Sequence, residues 1–291
     1  MKLAALQWAH WPYYKQLMRT DKPIGTLLLL WPTLWALWLA AGDATWPAIE
    51  LIVIFSAGVF VMRSAGCVIN DFADRKVDGA VARTQARPLA AGKVSAGEAL
   101  SLFVLLILLA FVLVLLLNWQ TLVLSFAALA LAACYPFMKR YTHLPQVVLG
   151  AAFSWAIPMA YMATMETVPM QAWLLFIANL VWTVAYDTLY AMVDRDDDVK
   201  IGIKSTAVLF GRFDLAMVAL LNTLFMAILV YIGSSAELTW PYWLGLLVAA
   251  LLLMRQLYLS RQRDRDACFA AFLNNHYVGM AIFIGLVASL Y

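Results

Sequence analysis

The stretch PAIELIVIFSAGVFVMRSAGCVINDFADRKVD, residues 47–78, decides what kind of protein this is. Its first part is a run of more than twenty mostly apolar residues, which is long enough for one helical crossing of a membrane. Its last part, NDFADRKVD, places three aspartates and an asparagine where that helix should end. Ionisable groups beside hydrocarbon are costly, so such a cluster indicates a functional site.

The whole chain is similarly apolar, with 65% hydrophobic and 13% charged residues among 291. Soluble domains average about 45–50% apolar and about 25% charged residues. The composition therefore predicts an all-α, polytopic membrane protein, and its connections are too short for a separate soluble domain, so residues 1–291 form one domain. Nine spans are predicted, at residues 24–41, 47–70, 97–117, 119–138, 145–164, 169–193, 212–233, 239–255 and 268–290.

The distribution of Lys and Arg predicts the orientation, because these residues concentrate on the cytoplasmic side of short loops. The segments on one side hold or closely border all 20 of them: residues 1–23, 71–96, 139–144, 194–211 and 256–267. The connections at 42–46, 164–168 and 233–238 carry acids but no base. We expect a cytoplasmic N-terminus and an external C-terminus. Residues 1–23 resemble neither a signal nor a transit peptide, which favours a bacterial plasma membrane.

Helical periodicity groups the first acidic motif on one face if the helix continues through it. At 100° per residue, Asp78, Asp74 and Asn70 fall at about −20°, −60° and −100° from Asp71. Arg63 falls at about −80°, so all five share a face about 100° wide. Gly79 is the predicted helix terminator.

A second acidic motif, YDTLYAMVDRDDD at residues 186–198, ends the sixth span on the same side. Relative to Asp187, Tyr190 falls at about −60°, Asp194 at −20° and Asp198 at +20°. Asp196 points roughly the opposite way, so part of the DDD run should be solvated.

Both motifs crowd negative charge at helix C-termini, where the helix dipole already disfavours carboxylates. A cation must compensate, and oxygen-only ligands suit Mg²⁺, which commonly bridges carboxylates and substrate phosphates. The motifs therefore predict a diphosphate site with more than one Mg²⁺. The alternative is a solvated face at the membrane interface, which two one-sided clusters make less favourable.

At this point the residues resemble a known family. NDxxDxxxD at 70–78 and DxxYAxxDxxxD at 187–198 resemble the UbiA superfamily of membrane prenyltransferases. Stretches at 19–37, 63–79, 135–153 and 190–211 are similar to its 4-hydroxybenzoate polyprenyltransferase branch, of ubiquinone biosynthesis. The resemblance implies nine helices around a central cavity, Mg²⁺, and transfer of a prenyl group from polyprenyl diphosphate to ring carbon 3 of 4-hydroxybenzoate.

Roles can then be assigned to the polar residues. One metal set comprises Asn70, Asp71, Asp74 and Asp78, and the other comprises Asp187, Asp194 and Asp198. Arg63 lies within a span and is the strongest candidate for the diphosphate, with a structural ion pair as the alternative. Lys22 and Lys204 are weaker candidates, since juxtamembrane lysines are often interface anchors.

Other residues are expected to stabilise the carbocation, bind the acceptor and take up the proton. Tyr135, Tyr186 and Tyr190 adjoin the motifs and are expected to stabilise a carbocation through their ring faces. Lys139 and Arg140 are candidates for the acceptor carboxylate, and family likeness favours Arg140, although both can be ordinary positive-inside anchors. Asp194 or Asp187 is expected to take the phenol or ring proton.

Two other functional classes fit less well. Residues 78–92 partly match the metal motif of CDP-alcohol phosphotransferases, but Ala96 and Leu100 stand where that motif needs aspartates. A secondary transporter is disfavoured because the acids lie at span ends and no internal repeat is evident. Among prenyltransferases, naphthoate, haem or a chlorophyllide remain alternative acceptors.

Overall fold

The computed structural model describes residues 3–43, 45–75, 78–80 and 84–291. These residues form α-helices joined by turns and loops, with no β-strand among them. The helices are α1 (Trp11–Leu17), α2 (Ile24–Ala41), α3 (Ile49–Asp74), α4 (Ala96–Val114), α5 (Trp119–Met138), α6 (Pro145–Ser154), α7 (Ala156–Met165), α8 (Met170–Ile201), α9 (Thr206–Phe210), α10 (Asp214–Ser235), α11 (Trp240–Leu259) and α12 (Arg265–Leu290).

Nine helical segments of the described chain are long and apolar enough to cross a membrane. Each overlaps one predicted span, so the predicted number and placement are confirmed. Two of the nine consist of consecutive helices, α6 with α7 and α9 with α10. The break between α6 and α7 has a covalent cause, because Pro158 lacks the N–H that would bond to the carbonyl of Ser154.

The first motif departs from its predicted helical geometry. Helix α3 ends at Asp74, and the predicted continuation to Asp78 is wrong, because Asp78 lies in a separate 3₁₀ turn, Asp78–Ala80, that also contains Gly79. Arg75 Nη1 donates to the Phe72 carbonyl at 2.5 Å and occupies an acceptor that another helical turn would use. Residues 76–77 of the motif lie outside the described residues.

The second motif lies wholly on α8, as its periodicity requires. This helix runs eight residues beyond the predicted span, to Ile201, and ends at Gly202 in the left-handed conformation (φ 73°). Its last two turns therefore project from the apolar bundle with Asp194 and Asp198 still in helical register.

An aromatic core packs α2, α8 and α10 together. The rings of Trp182 and Phe225 stack at 5.2 Å between centroids, and Trp35 lies 5.6 Å from Trp182. The indole N–H of Trp35 donates to the Gly279 carbonyl at 3.1 Å, which ties α12 to this core.

Candidate active site

A cavity of about 1030 Å³ lies inside the bundle, with walls from α2 to α8 and α12. One end is apolar and includes Leu28, Phe55, Leu113, Phe126 and Phe153. The other end is charged and carries every predicted site residue except Arg140: Lys22, Arg63, Asn70, Asp71, Asp74, Asp78, Tyr135, Lys139, Tyr186, Asp187, Tyr190, Asp194, Asp198 and Lys204. The two acidic motifs therefore face one space.

Two arginines neutralise the first and last aspartates of the NDFADRKVD motif. Arg19 Nη2 lies 3.1 Å from both carboxylate oxygens of Asp71, and Arg87 Nη1 lies 2.9 Å from Asp71 Oδ1. Arg87 also contacts Asp78 at 3.0 Å. Asp71 and Asp78 are both buried, so Arg87 bridges two carboxylates that would otherwise repel each other.

The backbone at Arg19 is unusual as well. Its φ of 56° lies in the left-handed region, which residues other than glycine rarely adopt. Such conformations persist where the surrounding contacts require them, and they cluster at functional sites. The ion pair with Asp71 and the turn leading into α2 supply that constraint here.

Among the described residues, one base holds Asp74. Its Oδ2 pairs with the Lys139 ammonium, whereas its buried Oδ1 has no hydrogen-bond partner in the described part of the chain. A buried carboxylate oxygen without a donor is costly, and this one therefore suits a metal ion or a rearranged side chain.

Arg63 reaches the cavity without an acidic partner. Its Nη1 contacts Cys67 Sγ, and its buried Nε has no hydrogen-bond partner. Within the described chain no ion pair joins Arg63 to a carboxylate, so the alternative of a structural ion pair is not observed. The guanidinium packs against the Cα of Gly25, where a Cβ would lie 2.5 Å from Nη2. A guanidinium that lines a cavity and has no carboxylate partner in the described chain is suited to bind an anion.

The second motif divides its carboxylates between two surfaces. Asp187, Asp194 and Asp198 line the cavity. Asp196 is 72% exposed and pairs with Arg265 at 3.1 Å on the outside. The outward orientation predicted for Asp196 is confirmed.

Three tyrosines separate the charged and apolar ends. Tyr135, Tyr186 and Tyr190 all line the cavity beside the motifs, as predicted. The Tyr190 ring packs 4.8 Å from Phe272, and the Tyr186 ring lies 6.0 Å from the same residue. Phe272 thus extends this aromatic wall, a contribution that the sequence did not indicate.

The basic residues near the end of α5 point in different directions. Lys139 lines the cavity, whereas the Arg140 guanidinium lies outside its lining and donates to the Ala73 carbonyl at 2.7 Å. Lys204 lines the cavity rim and donates to the Tyr141 carbonyl at 3.3 Å. The acceptor-binding role favoured for Arg140 stays a prediction, and Lys139 is the better placed base.

The residues fit a divalent cation by chemistry but do not form a ready ligand set. Among the described side chains, no three His, Cys, Asp or Glu stand close enough to hold one ion. In the first motif, the aspartates are not free to form a ligand set because arginines and Lys139 pair with their oxygens. Oxygen donors from Asn70 and six aspartates around one cavity suit Mg²⁺. Metal binding requires the bases to move aside.

Arg19 and Arg87 were missed as site residues by sequence reasoning. The available signal was only the general requirement for a compensating cation beside the acidic motif, which does not single out Arg87 or the distant Arg19. The partial match to the metal motif of CDP-alcohol phosphotransferases gains no support. Ala96 and Leu100, which stand where that motif needs aspartates, lie on α4 and outside the cavity lining.

Comparisons with known proteins agree with this arrangement. The model of the UbiA prenyltransferase family matches residues 29–284. A Pseudoalteromonas translucida protein called 4-hydroxybenzoate octaprenyltransferase is 65% identical over 289 residues, which cover 99% of this chain and 98% of that protein.

Solved structures share the architecture. The apo structure of a UbiA homolog from Aeropyrum pernix K1 has a TM-score of 0.80 and 24% identity, covering 91% of this chain and 98% of that one. A UbiA homolog from Archaeoglobus fulgidus, bound to GPP and Mg²⁺, has a TM-score of 0.69 and 18% identity, covering 93% of this chain and 99% of that one. The solved structures establish the shared fold, and the family match together with the close relative establishes that the chain belongs to the UbiA prenyltransferase family.

Proposed function

We propose that this protein transfers the polyprenyl group of a polyprenyl diphosphate to ring carbon 3 of 4-hydroxybenzoate, in ubiquinone biosynthesis. The observation that carries the proposal is one cavity with a charged end and an apolar end. A donor with a diphosphate head and an isoprenoid tail needs both. The name of the 65% identical relative supports the acceptor and favours an octaprenyl donor.

The diphosphate is bound by cations that the cavity already carries. Arg63 has no carboxylate partner among the described residues, and its guanidinium can donate two parallel hydrogen bonds to phosphate oxygens. Arg19 and Arg87 now pair with Asp71, and they can turn to phosphate when the carboxylate binds a metal. Lys22 and Lys204 lie at the same end and add positive charge.

We infer that the divalent cation is Mg²⁺ and that the site takes more than one ion. One ion would be held by Asn70, Asp71, Asp74 and Asp78, and another by Asp187, Asp194 and Asp198. When bound, Mg²⁺ supplies Lewis-acid neutralisation of the negative charge on the departing diphosphate. The buried, unpartnered Oδ1 of Asp74 is the observation of this structure that supports the assignment.

The chemical step breaks the bond between prenyl C1 and the diphosphate oxygen and forms a bond from C1 to ring carbon 3. The developing allylic cation is stabilised by the ring faces of Tyr135, Tyr186 and Tyr190. The apolar walls of the cavity limit the contact of water with the cation. The ring proton passes to a carboxylate of the second motif, Asp194 or Asp187.

The acceptor enters from the charged end with its carboxylate paired to a base. Lys139 is our first choice because it lines the cavity, and Arg140 is retained from sequence likeness. The distribution of Lys and Arg supports a cytoplasmic opening in a bacterial plasma membrane, with the N-terminus inside. A water-soluble acid can then meet a donor whose tail stays in the bilayer.

The test is a reconstituted reaction in membranes that carry the protein. We expect prenylated 4-hydroxybenzoate, detected by mass, with Mg²⁺ and octaprenyl diphosphate, none with EDTA, and recovery when Mg²⁺ is restored. Membranes with Asp71→Ala serve as the matched control for background activity. Product with a naphthoate but not with 4-hydroxybenzoate would overturn the acceptor, and no product with any donor length would overturn the proposal.

A further inference from the structure

The end of α8 that carries the second motif is more exposed than the part of the helix that precedes it. Beyond Val193 the helix leaves the apolar bundle, yet Asp194 and Asp198 must hold their positions at the cavity. The last carbonyls of a helix lack internal partners and helix ends fray, so an unsupported end would move these carboxylates. Something on the opposite side of the helix must hold it.

That support is a buried carboxylate at the start of α10. Asp214 is completely buried, and one of its oxygens pairs with Arg195, the residue that follows Asp194 on α8. Arg263, between α11 and α12, donates to the same carboxylate from Nε at 3.1 Å and from Nη2 at 2.9 Å. The Leu215 N–H adds a further bond at 2.6 Å. One carboxylate thus joins three segments of the chain.

The backbone at Arg263 adopts an unusual conformation beside this contact. Its φ of 58° is in the left-handed region, and its Nη2 also donates to the Arg212 carbonyl at 2.9 Å. Hydrogen bonds to Asp214 and its negative charge raise the pKa of the Arg263 guanidinium, so the guanidinium stays charged.

The neighbouring contacts of Arg265 do not substitute for this one. Arg265 reaches Asp196 and Asp197 on the same side of α8, but Arg265 and Asp196 are 47% and 72% exposed. Exposed ion pairs contribute little to stability, whereas removing one partner of a buried carboxylate is strongly destabilising. The buried group therefore determines where the helix end sits.

We propose that Arg195, Asp214 and Arg263 form a clamp that positions the second acidic motif for the diphosphate and its cation. These are positioning residues, because none of the three lines the cavity. The inference rests on the proposed function for its catalytic meaning, but its structural part can be measured without any reaction.

The experiment compares Arg263→Ala with Arg261→Ala, a matched control two residues away. Arg261 packs on the Tyr258 ring at 3.8 Å and has no contact with Asp214. Alanine keeps the Cβ of Arg263, so the backbone preference at this position changes little. Arg263→Lys retains a cation and tests whether charge alone suffices.

Hydrogen exchange of the purified protein gives the first readout. We expect amides of residues 194–202 to exchange about tenfold faster or more in Arg263→Ala, as for a lost hydrogen bond between charged groups, with Arg261→Ala like wild type. Arg263→Lys should fall between them. Unchanged exchange at 194–202, or equal acceleration along all of α8, would overturn the clamp.

The dependence of activity on Mg²⁺ gives the second readout. Arg263→Ala should need several-fold more Mg²⁺ for half-maximal rate, with the KM for 4-hydroxybenzoate unchanged and partial rescue by Arg263→Lys. A lower rate at an unchanged Mg²⁺ requirement would overturn the positioning role. Failure of wild type to form product would instead overturn the proposed function, while the exchange result would still decide the clamp.

Discussion

Gly25 lies in the first turn of α2, directly against the guanidinium of Arg63. A Cβ at this position would lie 2.5 Å from Nη2 and 2.7 Å from Nε. Ordinary contacts begin near 3.5 Å, so Gly25→Ala must displace the guanidinium by about 1 Å. The displaced atoms end a flexible side chain, and alanine favours a helix over glycine, so the fold should remain intact.

A misplacement of about 1 Å can cost about 100-fold in rate, and we expect Gly25→Ala to lower kcat/KM for the prenyl diphosphate by about 10- to 100-fold. The assay is steady-state kinetics in membranes at saturating 4-hydroxybenzoate, with thermal unfolding as the check on folding. Gly66→Ala adds a methyl to the cavity wall with no atom within 4 Å, and it measures the effect of cavity filling alone.

A double-mutant cycle makes the reasoning refutable. If Gly25→Ala acts by moving Arg63, it should have little further effect in an Arg63→Ala background, because the group that it displaces is gone. A full, additive loss in that background would show that Gly25 acts in another way. Wild-type kinetics for Gly25→Ala would show that the guanidinium position is unimportant for the donor.

Three further outcomes follow from the site and its surroundings. Asp194→Ala should lose nearly all activity and Asp196→Ala should keep it, because only the first carboxylate faces the cavity; similar rates in the two variants would contradict this assignment. Lys139→Met should raise the KM for 4-hydroxybenzoate about tenfold or more and Arg140→Met much less, and the reverse order would assign the carboxylate to Arg140. Tyr14→Phe should destabilise the protein by about 1.5–3 kcal/mol in thermal unfolding, since the phenol donates at 2.5 Å to a buried carboxylate on α4. Burial and this hydrogen bond raise the pKa of Tyr14. The contribution of Tyr14 to stability should therefore be intact below about pH 10 and lost above it. Loss of this contribution at a clearly lower pH would refute the assignment.

The membrane-spanning helices could be predicted closely because they depend on a local property. About twenty apolar residues suffice to make a span, whatever surrounds them. Likewise, helical periodicity placed Asp196 outward and Asp194 inward, since α8 continues unbroken through the motif. The same argument failed for Asp78, because α3 ends at Asp74, where the Arg75 side chain donates to the Phe72 carbonyl.

The partners of the acidic groups could not be predicted in the same way. Arg19 and Arg87 meet Asp71 across 52 and 16 positions of chain, and sequence spacing carries no information about such pairs. Lys139 and Arg140 are adjacent and chemically alike, yet only Lys139 lines the cavity, because the end of α5 directs the two side chains differently.

The sequence by itself determined that the protein lies in a membrane, where its spans are and where its two acidic motifs lie. Hydrophobic length and helical period are properties of short segments. Only the tertiary structure decided which cations meet those acids, that Arg63 is left without a carboxylate, and that a buried Asp214 holds the end of α8. Those features depend on distances between segments far apart in the chain, and packing in three dimensions sets such distances.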